Sequence, residues 1–378
     1  MLKEPFGTPY SADSHTIEPP EIYSDYISAK FKDRAPKLAH DPERGVVYLV
    51  EGLAAPIAVG GLCMTDVPFA DRYRLRTRPF KDLPKGGYSA KERLLAQDHD
   101  GISGEVIYPT VGMVICQHQD PDFRHEMLWG YNRWLKDFTS ENPERMVGVA
   151  QLAIRSVDDA VEELKEAHRM GFRGAMLPGD PLTDEDYEDA VYDPLWRTAV
   201  ELNMPLSFHS LTSARAKGMN LQSGGPPRGT SGIGNLSNIV RSNQDIISML
   251  IWGGVFERVP ELKMVCVEAD ASWAPHLMQK MDHHYDTMRA LMKVGEFKRR
   301  PSEVFKDNFY MTFQYDWLAI ELAHHMNPER LMWANDYPHT DSTWPHSQSL
   351  LKANLPDVSV ERVNRILRDN VKELYHIA

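Results

Sequence analysis

Three short apolar runs, far apart in the sequence, each lead to side chains of the kind that bind metals in proteins. The runs lie at residues 331–334, 10–15 and 205–210, and they lead to Asp336, to the pair Asp13 and His15, and to His209. Alternate residues of a strand point to the same face, so Asp13 and His15 can hold one metal ion together. A polar group at the C-terminal end of a buried strand occupies the position where barrel enzymes carry their catalytic residues. The pattern therefore predicts that Asp13, His15, His209 and Asp336 converge on one metal ion.

Strand-like and helix-like patterns alternate along the chain. Strand-like apolar runs occupy residues 10–15, 104–109, 146–152, 171–177, 205–210, 262–268, 309–313 and 331–336. Amphipathic helices are predicted at residues 121–141, 156–170, 193–202, 273–292 and 317–325, and a C-terminal one at 359–377. Parallel strands need crossover helices, and eight such strands close into a barrel. The predicted fold class is therefore α/β, a (β/α)8 TIM barrel with a C-terminal helix.

Two insertions interrupt this alternation, near residues 22–91 and 212–238. The first is polar and rich in proline and glycine, with a helix-like end at residues 90–98, and the second is rich in glycine. Both follow the C-terminal end of a predicted strand, so they lie over the active-site face of a barrel. We expect them to cover a bound substrate, with flexible decoration as the alternative, and we expect residues 1–378 to form one domain.

Composition and charge exclude several classes of partner. The formal net charge is −12, and the short basic run at residues 298–300 is too small to form a nucleic-acid surface. The N-terminus lacks a basic region followed by an apolar core, and no apolar run approaches membrane-spanning length. Cys63, Cys116 and Cys266 make an odd number without C-x-x-C spacing, which disfavours a disulfide framework. We therefore expect a cytoplasmic protein that acts on a small molecule, without nucleic-acid or membrane partners.

The sequence resembles the amidohydrolase superfamily, in particular the amidohydrolase-related (amidohydrolase 2) branch. Within it, the chain is similar to aminocarboxymuconate semialdehyde decarboxylase-like proteins and to the non-oxidative aromatic acid decarboxylases. The resemblance is carried by Ser11-Ala12-Asp13-Ser14-His15 with Glu18-Pro19-Pro20, by Phe208-His209, by Val267-Glu268-Ala269 with Trp273, and by Asp336-Tyr337-Pro338-His339 with Asp341-Ser342-Thr343-Trp344-Pro345. It implies a metal-dependent barrel whose Asp336 is a metal ligand or a general base.

The ligand types leave the metal open between zinc, manganese and iron. Carboxylate and imidazole donors without a thiolate suit each of these ions. Glu268 ends the sixth predicted strand, where many members of the superfamily carry a histidine. It is a candidate ligand of a first or second ion, a catalytic group that contacts the substrate, or a partner in a buried ion pair. The fourth strand offers neither lysine nor glutamate at residues 175–178, which argues against a carboxylated-lysine centre.

Further candidates follow the sixth and eighth strands. His283 and His284 lie inside a predicted helix, so at most one can face the barrel mouth as an extra ligand, and both can equally be surface residues. His339 is a catalytic candidate that can also orient a metal-bound histidine. Asp341, Trp344 and Trp273 are substrate-binding candidates, although the two tryptophans can instead serve packing.

The candidate functions divide by what the metal activates. The first is a hydrolase in which metal-activated water attacks an amide, ester, lactone or thioester of a small carboxylate-bearing substrate. The alternative is a non-oxidative decarboxylase in which the metal holds the substrate carboxylate and a neighbouring oxygen. The resemblance ranks the hydrolase first, because decarboxylases of this branch are usually shorter and large cover loops suit a bulkier substrate. A dinuclear iron or manganese enzyme that uses oxygen is a further alternative, and the intact ligand set disfavours a barrel without catalysis.

The protein is expected to be a homodimer or a larger homo-oligomer. Barrels of the branch it resembles are commonly oligomeric. In addition, Trp129, Tyr131 and Trp134 cannot all lie on one face of the predicted helix, so some of them are expected at a subunit contact.

Overall fold

The computed structural model describes residues 6–213 and 240–378 and contains a parallel barrel. The strands of the described residues are β1 Ser11–His15, β2 Lys37–Asp41, β3 Gly45–Leu49, β4 Ile57–Ala58, β5 Glu105–Tyr108, β6 Met146–Gly148, β7 Ala150–Gln151, β8 Ala175–Leu177, β9 Leu206–His209, β10 Met264–Val267, β11 Phe309–Phe313 and β12 Leu331–Trp333. Two parallel sheets, β1-β5-β6 and β7-β8-β9-β10-β11-β12, make up the barrel wall. The eight predicted strands are present, with the third divided into β6 and β7.

Backbone hydrogen bonds join these two sheets into a ring. At one seam the N–H of Val149 donates to the Ile107 carbonyl, while the next residue, Ala150, donates to Gly174. At the other seam the N–H of Asp336 donates to the Asp13 carbonyl, 3.1 Å away. The ring closes on both sides, which confirms the predicted (β/α)8 barrel.

Helices surround the barrel as the amphipathic patterns predict. The α-helices of the described residues are Ile22–Asp25, Arg72–Leu75, Ala90–Asp100, Gly112–Ile115, Pro121–Ser140, Val157–Arg169, Asp193–Glu201, Val240–Trp252, Val255–Arg258, Ala274–Met288, Pro301–Asn308, Trp317–Leu322, Ser347–Asn354, Val360–Asn364 and Asn370–Leu374. Shorter 3-10 turns occupy Ala29–Arg34, Phe69–Asp71, Phe80–Asp82, Lys85–Gly87, Ala190–Tyr192 and Pro328–Arg330, and Arg365–Asp369 is π-helical. Ser156 caps Val157–Arg169 by accepting a hydrogen bond from the Asp159 N–H, as predicted. Among these helices none is both long and apolar enough to cross a membrane.

Alternation along the strands separates an inner from an outer apolar layer. Inside the barrel, Ala12, Val106, Met176, Val265 and Met332 form part of a cluster that is almost completely buried. Their strand neighbours face outward and pack against the helices in a second, larger cluster. Because most strands carry apolar residues on both faces, the polar residues near the strand ends stand out as the place for chemistry.

The aromatic residues of helix Pro121–Ser140 do not form an exposed surface. Trp129, Tyr131 and Trp134 are buried, with exposed fractions of 6%, 1% and 8%. The first insertion covers this helix, since a Cβ at Gly130 would lie 2.7 Å from the Ile27 side chain. The prediction that these aromatics are available for a subunit contact is therefore wrong, and the homo-oligomer stays a prediction without that support.

The first insertion contains a small antiparallel sheet that the sequence did not reveal. Strands β2, β3 and β4 pair in that order. The insertion then contacts the loop after β12, where Thr340 donates its N–H to the Leu62 carbonyl and accepts a hydrogen bond from the Met64 N–H. It thus covers the strand end that carries Asp336. The second predicted insertion falls almost entirely on residues 214–239, outside the described part of the chain.

Candidate metal centre

The four predicted ligands come together at the C-terminal ends of three strands. Asp13 and His15 lie on β1, His209 is the last residue of β9, and Asp336 follows β12 after a short turn. All four side chains are essentially buried, with exposed fractions of 0% or 1%. Parallel strands carry their carboxyl ends to one rim of the barrel, which is why residues so distant in sequence meet here.

The distances among these side chains fit ligands of one ion. The Nε2 atom of His15 lies 3.4 Å from Asp13 Oδ1 and 3.3 Å from Asp336 Oδ1, and His209 Nε2 lies 3.6 Å from Asp13 Oδ1. Ligands about 2.1 Å from a metal and at right angles to one another are about 3.0 Å apart. The donor atoms form two groups of three that meet at His15, one with Asp13 and His209 and the other with Asp336 and His339, and each group is close enough to hold a divalent ion.

The same atoms lack hydrogen-bond partners. Both carboxylate oxygens of Asp13 and of Asp336 are buried without a partner, and so are the Nε2 atoms of His15 and His209. Buried polar atoms in proteins are almost always satisfied, and isolated buried charges are costly. A cluster of unsatisfied acceptors with this composition fits a divalent cation, which would satisfy all of them at once.

The pKa values of three of the predicted ligands are shifted because these ionisable side chains are buried and lie close to one another. Burial raises the pKa of Asp336 well above its usual range, and the nearby Asp13 raises it further. Burial lowers the pKa of His15, helped by the neighbouring His339 and His209. Burial also acts to lower the pKa of His209, but Asp13 and then Glu268 outweigh it and raise that pKa to about 9. A bound cation favours ionised carboxylates and neutral imidazoles, and so resolves this conflict.

Glu268 lies beside the Nδ1 atom of His209, whereas the Nε2 atom of that ring faces Asp13. Its Oε2 is 3.3 Å from His209 Nδ1 and accepts a hydrogen bond from Ser210 Oγ at 2.6 Å. The φ angle of Glu268 is +54°, which turns the chain sharply after β10. Burial raises the pKa of the Glu268 carboxyl to about 7, although His209 lowers it. This arrangement matches a carboxylate that orients a metal-bound histidine. Glu268 is not part of either group of possible metal ligands among the described residues.

His339 reaches the cluster from the loop after β12. Its Nδ1 lies 3.1 Å from Asp336 Oδ1, and its Nε2 lies 3.0 Å from Thr110 Oγ1. The ring stacks on His15 with a centroid distance of 3.8 Å. Burial lowers the pKa of His339, although Glu268 and Asp13 oppose this. The structure thus brings His339 into the site, as the sequence predicted for a catalytic or orienting residue.

Arg93 is a buried residue of the site that the sequence did not single out. The guanidinium donates to Glu105, to Ser14 Oγ at 2.7 Å and to the His15 carbonyl at 2.8 Å. A longer bond of 3.4 Å reaches the Tyr337 carbonyl, next to Asp336. Arg93 therefore ties together the two strand ends that carry three of the four predicted ligands.

Glu18 is a second such residue. It is fully buried and its Oε1 accepts from the backbone N–H groups of Thr110 and Gly112, whereas Oε2 has no partner. Burial raises the pKa of this carboxyl to about 7, against the effect of its backbone hydrogen bonds. Glu18 fixes the turn that presents Thr110 to His339. Its motif, Glu18-Pro19-Pro20, was visible in the sequence, but its contacts were not.

The remaining predicted site residues are Asp341, the two tryptophans Trp344 and Trp273, and the helical pair His283 and His284. Asp341 lies in the loop beyond His339, and burial raises its carboxyl pKa, opposed by Arg72 and His339. Trp344 donates Nε1–H to the Ala96 carbonyl, and Trp273 donates to the Ala269 carbonyl, while substrate binding by the two indoles stays a prediction. His283 and His284 are exposed on helix Ala274–Met288 and are absent from the clusters that the described side chains form. The structure does not bring these two histidines to the site, because both point to solvent.

The fold and the clustered donors define a barrel protein with a candidate metal centre at its C-terminal rim. The family model described as Amidohydrolase matches residues 109–377, which is more than half of the chain. The chain therefore belongs to the amidohydrolase family.

Curated relatives are similar over part of their length. A gamma-resorcylate decarboxylase from Polaromonas sp. is 22% identical over 216 residues, which cover 55% of this chain and 64% of that protein. The decarboxylase orsB from Emericella nidulans is 25% identical over 52% of this chain and 60% of its own length. A 2-amino-3-carboxymuconate-6-semialdehyde decarboxylase from Dictyostelium discoideum is 20% identical over 68% and 69% of the two chains. The first two alignments thus span less than two thirds of the relatives.

Solved structures share the fold over nearly the whole chain. An amidohydrolase from Mycobacterium avium subsp. paratuberculosis superimposes with a TM-score of 0.77 at 20% identity, covering 97% of this chain and 99% of that one. A 5-carboxyvanillate decarboxylase from Novosphingobium aromaticivorans, solved with manganese and 3-methoxy-4-hydroxy-5-nitrobenzoic acid, gives a TM-score of 0.68 at 18% identity, with 98% and 97% covered. At this level of identity the likeness establishes the barrel fold alone.

Proposed function

We propose that this protein is a divalent-metal-dependent decarboxylase that removes CO2 from a small carboxylic acid without an oxidant. The main support for this proposal is the set of ion pairs that the acidic side chains of the site make. Within the described residues, the ion pairs of Asp13, Asp336 and Glu268 are all with histidines. With no lysine or arginine paired to these carboxylates among the described side chains, a substrate carboxylate depends on the metal for its neutralisation.

The similar proteins support this reading over hydrolysis. Three of the relatives described above are decarboxylases, and one dihydroxybenzoic acid decarboxylase structure holds manganese with 2-nitroresorcinol. The sequence alone favours hydrolysis because of chain length and large insertions. Those features describe the cover of the site and not its chemistry, so decarboxylation replaces hydrolysis as the favoured function, with manganese as the first ion to test.

The residues of the site have distinct roles in this proposal. Asp13, His15, His209 and Asp336 would hold the ion, which when bound would neutralise the substrate carboxylate and hold it in place. Glu268, whose Oε2 lies 3.3 Å from His209 Nδ1, acts with the nearer Ser210 carbonyl at 3.0 Å to keep His209 in the tautomer with hydrogen on Nδ1. Both of its contacts use Oε2, which leaves Oε1 to hold the proton that replaces CO2.

The reaction then balances without further reactants. Glu268 gives a proton to the carbon that bears the carboxylate, and the bond between that carbon and the carboxylate breaks. CO2 leaves, its bonding electrons remain on the substrate carbon, and solvent returns a proton to Glu268.

A product analysis tests the proposal. The full-length protein, loaded with Mn2+ or with Zn2+, is incubated in D2O with 2,6-dihydroxybenzoate and 5-carboxyvanillate, and in parallel with their methyl esters. We expect CO2 release and deuterium at the vacated carbon, and no turnover by the His209→Ala variant. Release of methanol from the esters without CO2 from the acids would instead support the hydrolase.

The dinuclear alternative has less support. The two groups of donors among the described residues, Asp13 with His15 and His209, and His15 with Asp336 and His339, share His15. His15 Nδ1 is hydrogen-bonded to the Pro109 carbonyl, and Nε2 has one lone pair that binds one ion, so the two groups cannot hold separate ions through His15. A metal content of two equivalents per chain in the wild-type protein would reinstate the dinuclear enzyme.

A further inference from the structure

Each histidine at the centre has one ring nitrogen fixed by an oxygen. His15 Nδ1 lies 2.7 Å from the Pro109 carbonyl, and His209 Nδ1 lies 3.0 Å from the Ser210 carbonyl. A carbonyl oxygen only accepts hydrogen bonds, so both Nδ1 atoms carry the hydrogen. When a cation is bound these two rings are neutral, and their Nε2 atoms then present lone pairs beside the carboxylates of the cluster.

The tautomer of His339 follows from Thr110. The Thr110 hydroxyl donates its one hydrogen to the Thr16 carbonyl at 2.6 Å. It can therefore only accept from His339 Nε2, which lies 3.0 Å away. His339 consequently carries its hydrogen on Nε2, and Nδ1 has the lone pair. This is the reverse of the tautomer at His15 and His209.

The lone pair of His339 faces another acceptor. Nδ1 of His339 lies 3.1 Å from Asp336 Oδ1, and the same oxygen lies 3.3 Å from His15 Nε2. One proton on that oxygen can satisfy only one of the two nitrogens. A cation placed among the three atoms satisfies all of them, and the distances match the separation of about 3.0 Å between neighbouring ligands of one ion.

We propose that His339 is a fifth protein ligand of the ion, bound through Nδ1, and that Thr110 positions it by fixing its tautomer. This inference rests on the metal centre of the proposed function. It adds a ligand from the loop after β12. Stacking on His15, with the ring planes 21° apart, holds the imidazole in place. A site with five protein donors leaves fewer open positions for substrate than a site with four.

Binding of Co2+ alone tests the ligand assignment without any substrate. The full-length protein is stripped with a chelator and titrated with Co2+ against a competing indicator, while visible absorption reports the ligand field. Loss of an outer partner of a ligand weakens binding about 10–100-fold, so we expect His339→Ala, which removes a ligand, to lose at least about 100-fold with a changed spectrum. The matched control His284→Ala, on the exposed helix, should bind Co2+ as the wild type does.

The Thr110 variants test the tautomer independently, in case His339→Ala does not fold. Thr110→Val keeps the shape and removes the hydroxyl, so it should weaken Co2+ binding about 10–100-fold, whereas Thr110→Ser keeps the hydroxyl and should restore it. If His339→Ala keeps the wild-type spectrum and binds Co2+ within about threefold of wild type, His339 is not a ligand. Removing even a hydrogen-bond partner of a ligand lowers metal affinity by more than that. Equal affinities for the two Thr110 variants would overturn the positioning role. Failure of the wild type to bind Co2+ would overturn the metal centre itself, and with it the proposed function.

Discussion

Arg93→Lys should destabilise the protein far more than the same change at another buried arginine. Arg93 is fully buried and makes five hydrogen bonds, to Glu105, Ser14, His15, Gly86 and Tyr337. Lysine keeps the charge beside Glu105, so the variant does not leave that carboxylate unpaired. The ammonium, however, has three hydrogens for bonding, against five on the guanidinium. The substitution therefore isolates the cost of unmade hydrogen bonds.

The magnitude follows from the number of acceptors that lose their donor. Lysine cannot reach at least two of the five acceptors, and each lost hydrogen bond from a charged donor costs about 1.5–3 kcal/mol. The bond to Tyr337 is long, at 3.4 Å, so its loss lies at the low end. We expect the free energy of unfolding to fall by about 3–4.5 kcal/mol, a large part of the roughly 5–15 kcal/mol of a typical domain.

Urea denaturation followed by circular dichroism measures this change. Arg124→Lys is the matched control, because Arg124 is also buried but donates to only three carbonyls, those of Ala153, His118 and Ile154. Three lysine hydrogens can serve three acceptors, so this variant should lose about 1 kcal/mol. Equal losses in the two variants would refute the argument, because they would show that the extra contacts of Arg93 at the site contribute nothing.

Three further predictions concern the site and its scaffold. His209→Ala should lose bound metal on dialysis yet unfold cooperatively, because the apolar core does not depend on the ion; full metal content by elemental analysis would contradict the ligand assignment. Glu268→Gln should keep its metal, since the amide can still accept from His209, while kcat/KM falls by about 10² or more; unchanged kinetics would leave Glu268 a structural residue. Ser156→Ala should lower the free energy of unfolding by about 1 kcal/mol, because the cap to Asp159 is lost, and an unchanged urea midpoint would show that the cap contributes little.

The sequence predicted the barrel and the meeting of its polar strand ends because both depend on local patterns. Apolar runs mark strands, and the chain order of a parallel barrel brings their carboxyl ends to one rim. Asp13, His15, His209 and Asp336 therefore lie together as expected, and their role as ligands stays a prediction until metal is measured. The helix bounds agree for the same reason, as at Pro121–Ser140.

Contacts that depend on tertiary packing were not predictable. Arg93 lies in a polar helix whose pattern is the same whether the side chain meets water or a buried carboxylate. Glu268 was placed correctly at a strand end, but its positive φ turns the side chain toward His209 Nδ1, a conformation that an L-residue with a long side chain rarely adopts. The helix that carries Trp129 is covered by the first insertion. The sequence of that insertion shows no clear strand periodicity, so its fold could not be predicted.

The seam between β1 and β12 also sets an order of events in the maturation of the molecule. It is fixed by contacts such as that between Ser11 Oγ and Asn335 Oδ1, residues that are 324 positions apart. Contacts between such distant residues form late, because the entropy lost on closing so long a loop must be overcome first. A chain that has not closed this seam offers an ion only Asp13 and His15 on β1, or His209 and Asp336 from the sheet that ends in β12. Metal uptake would then follow ring closure, and a captured ion would hold the first and last strands of the barrel against reopening.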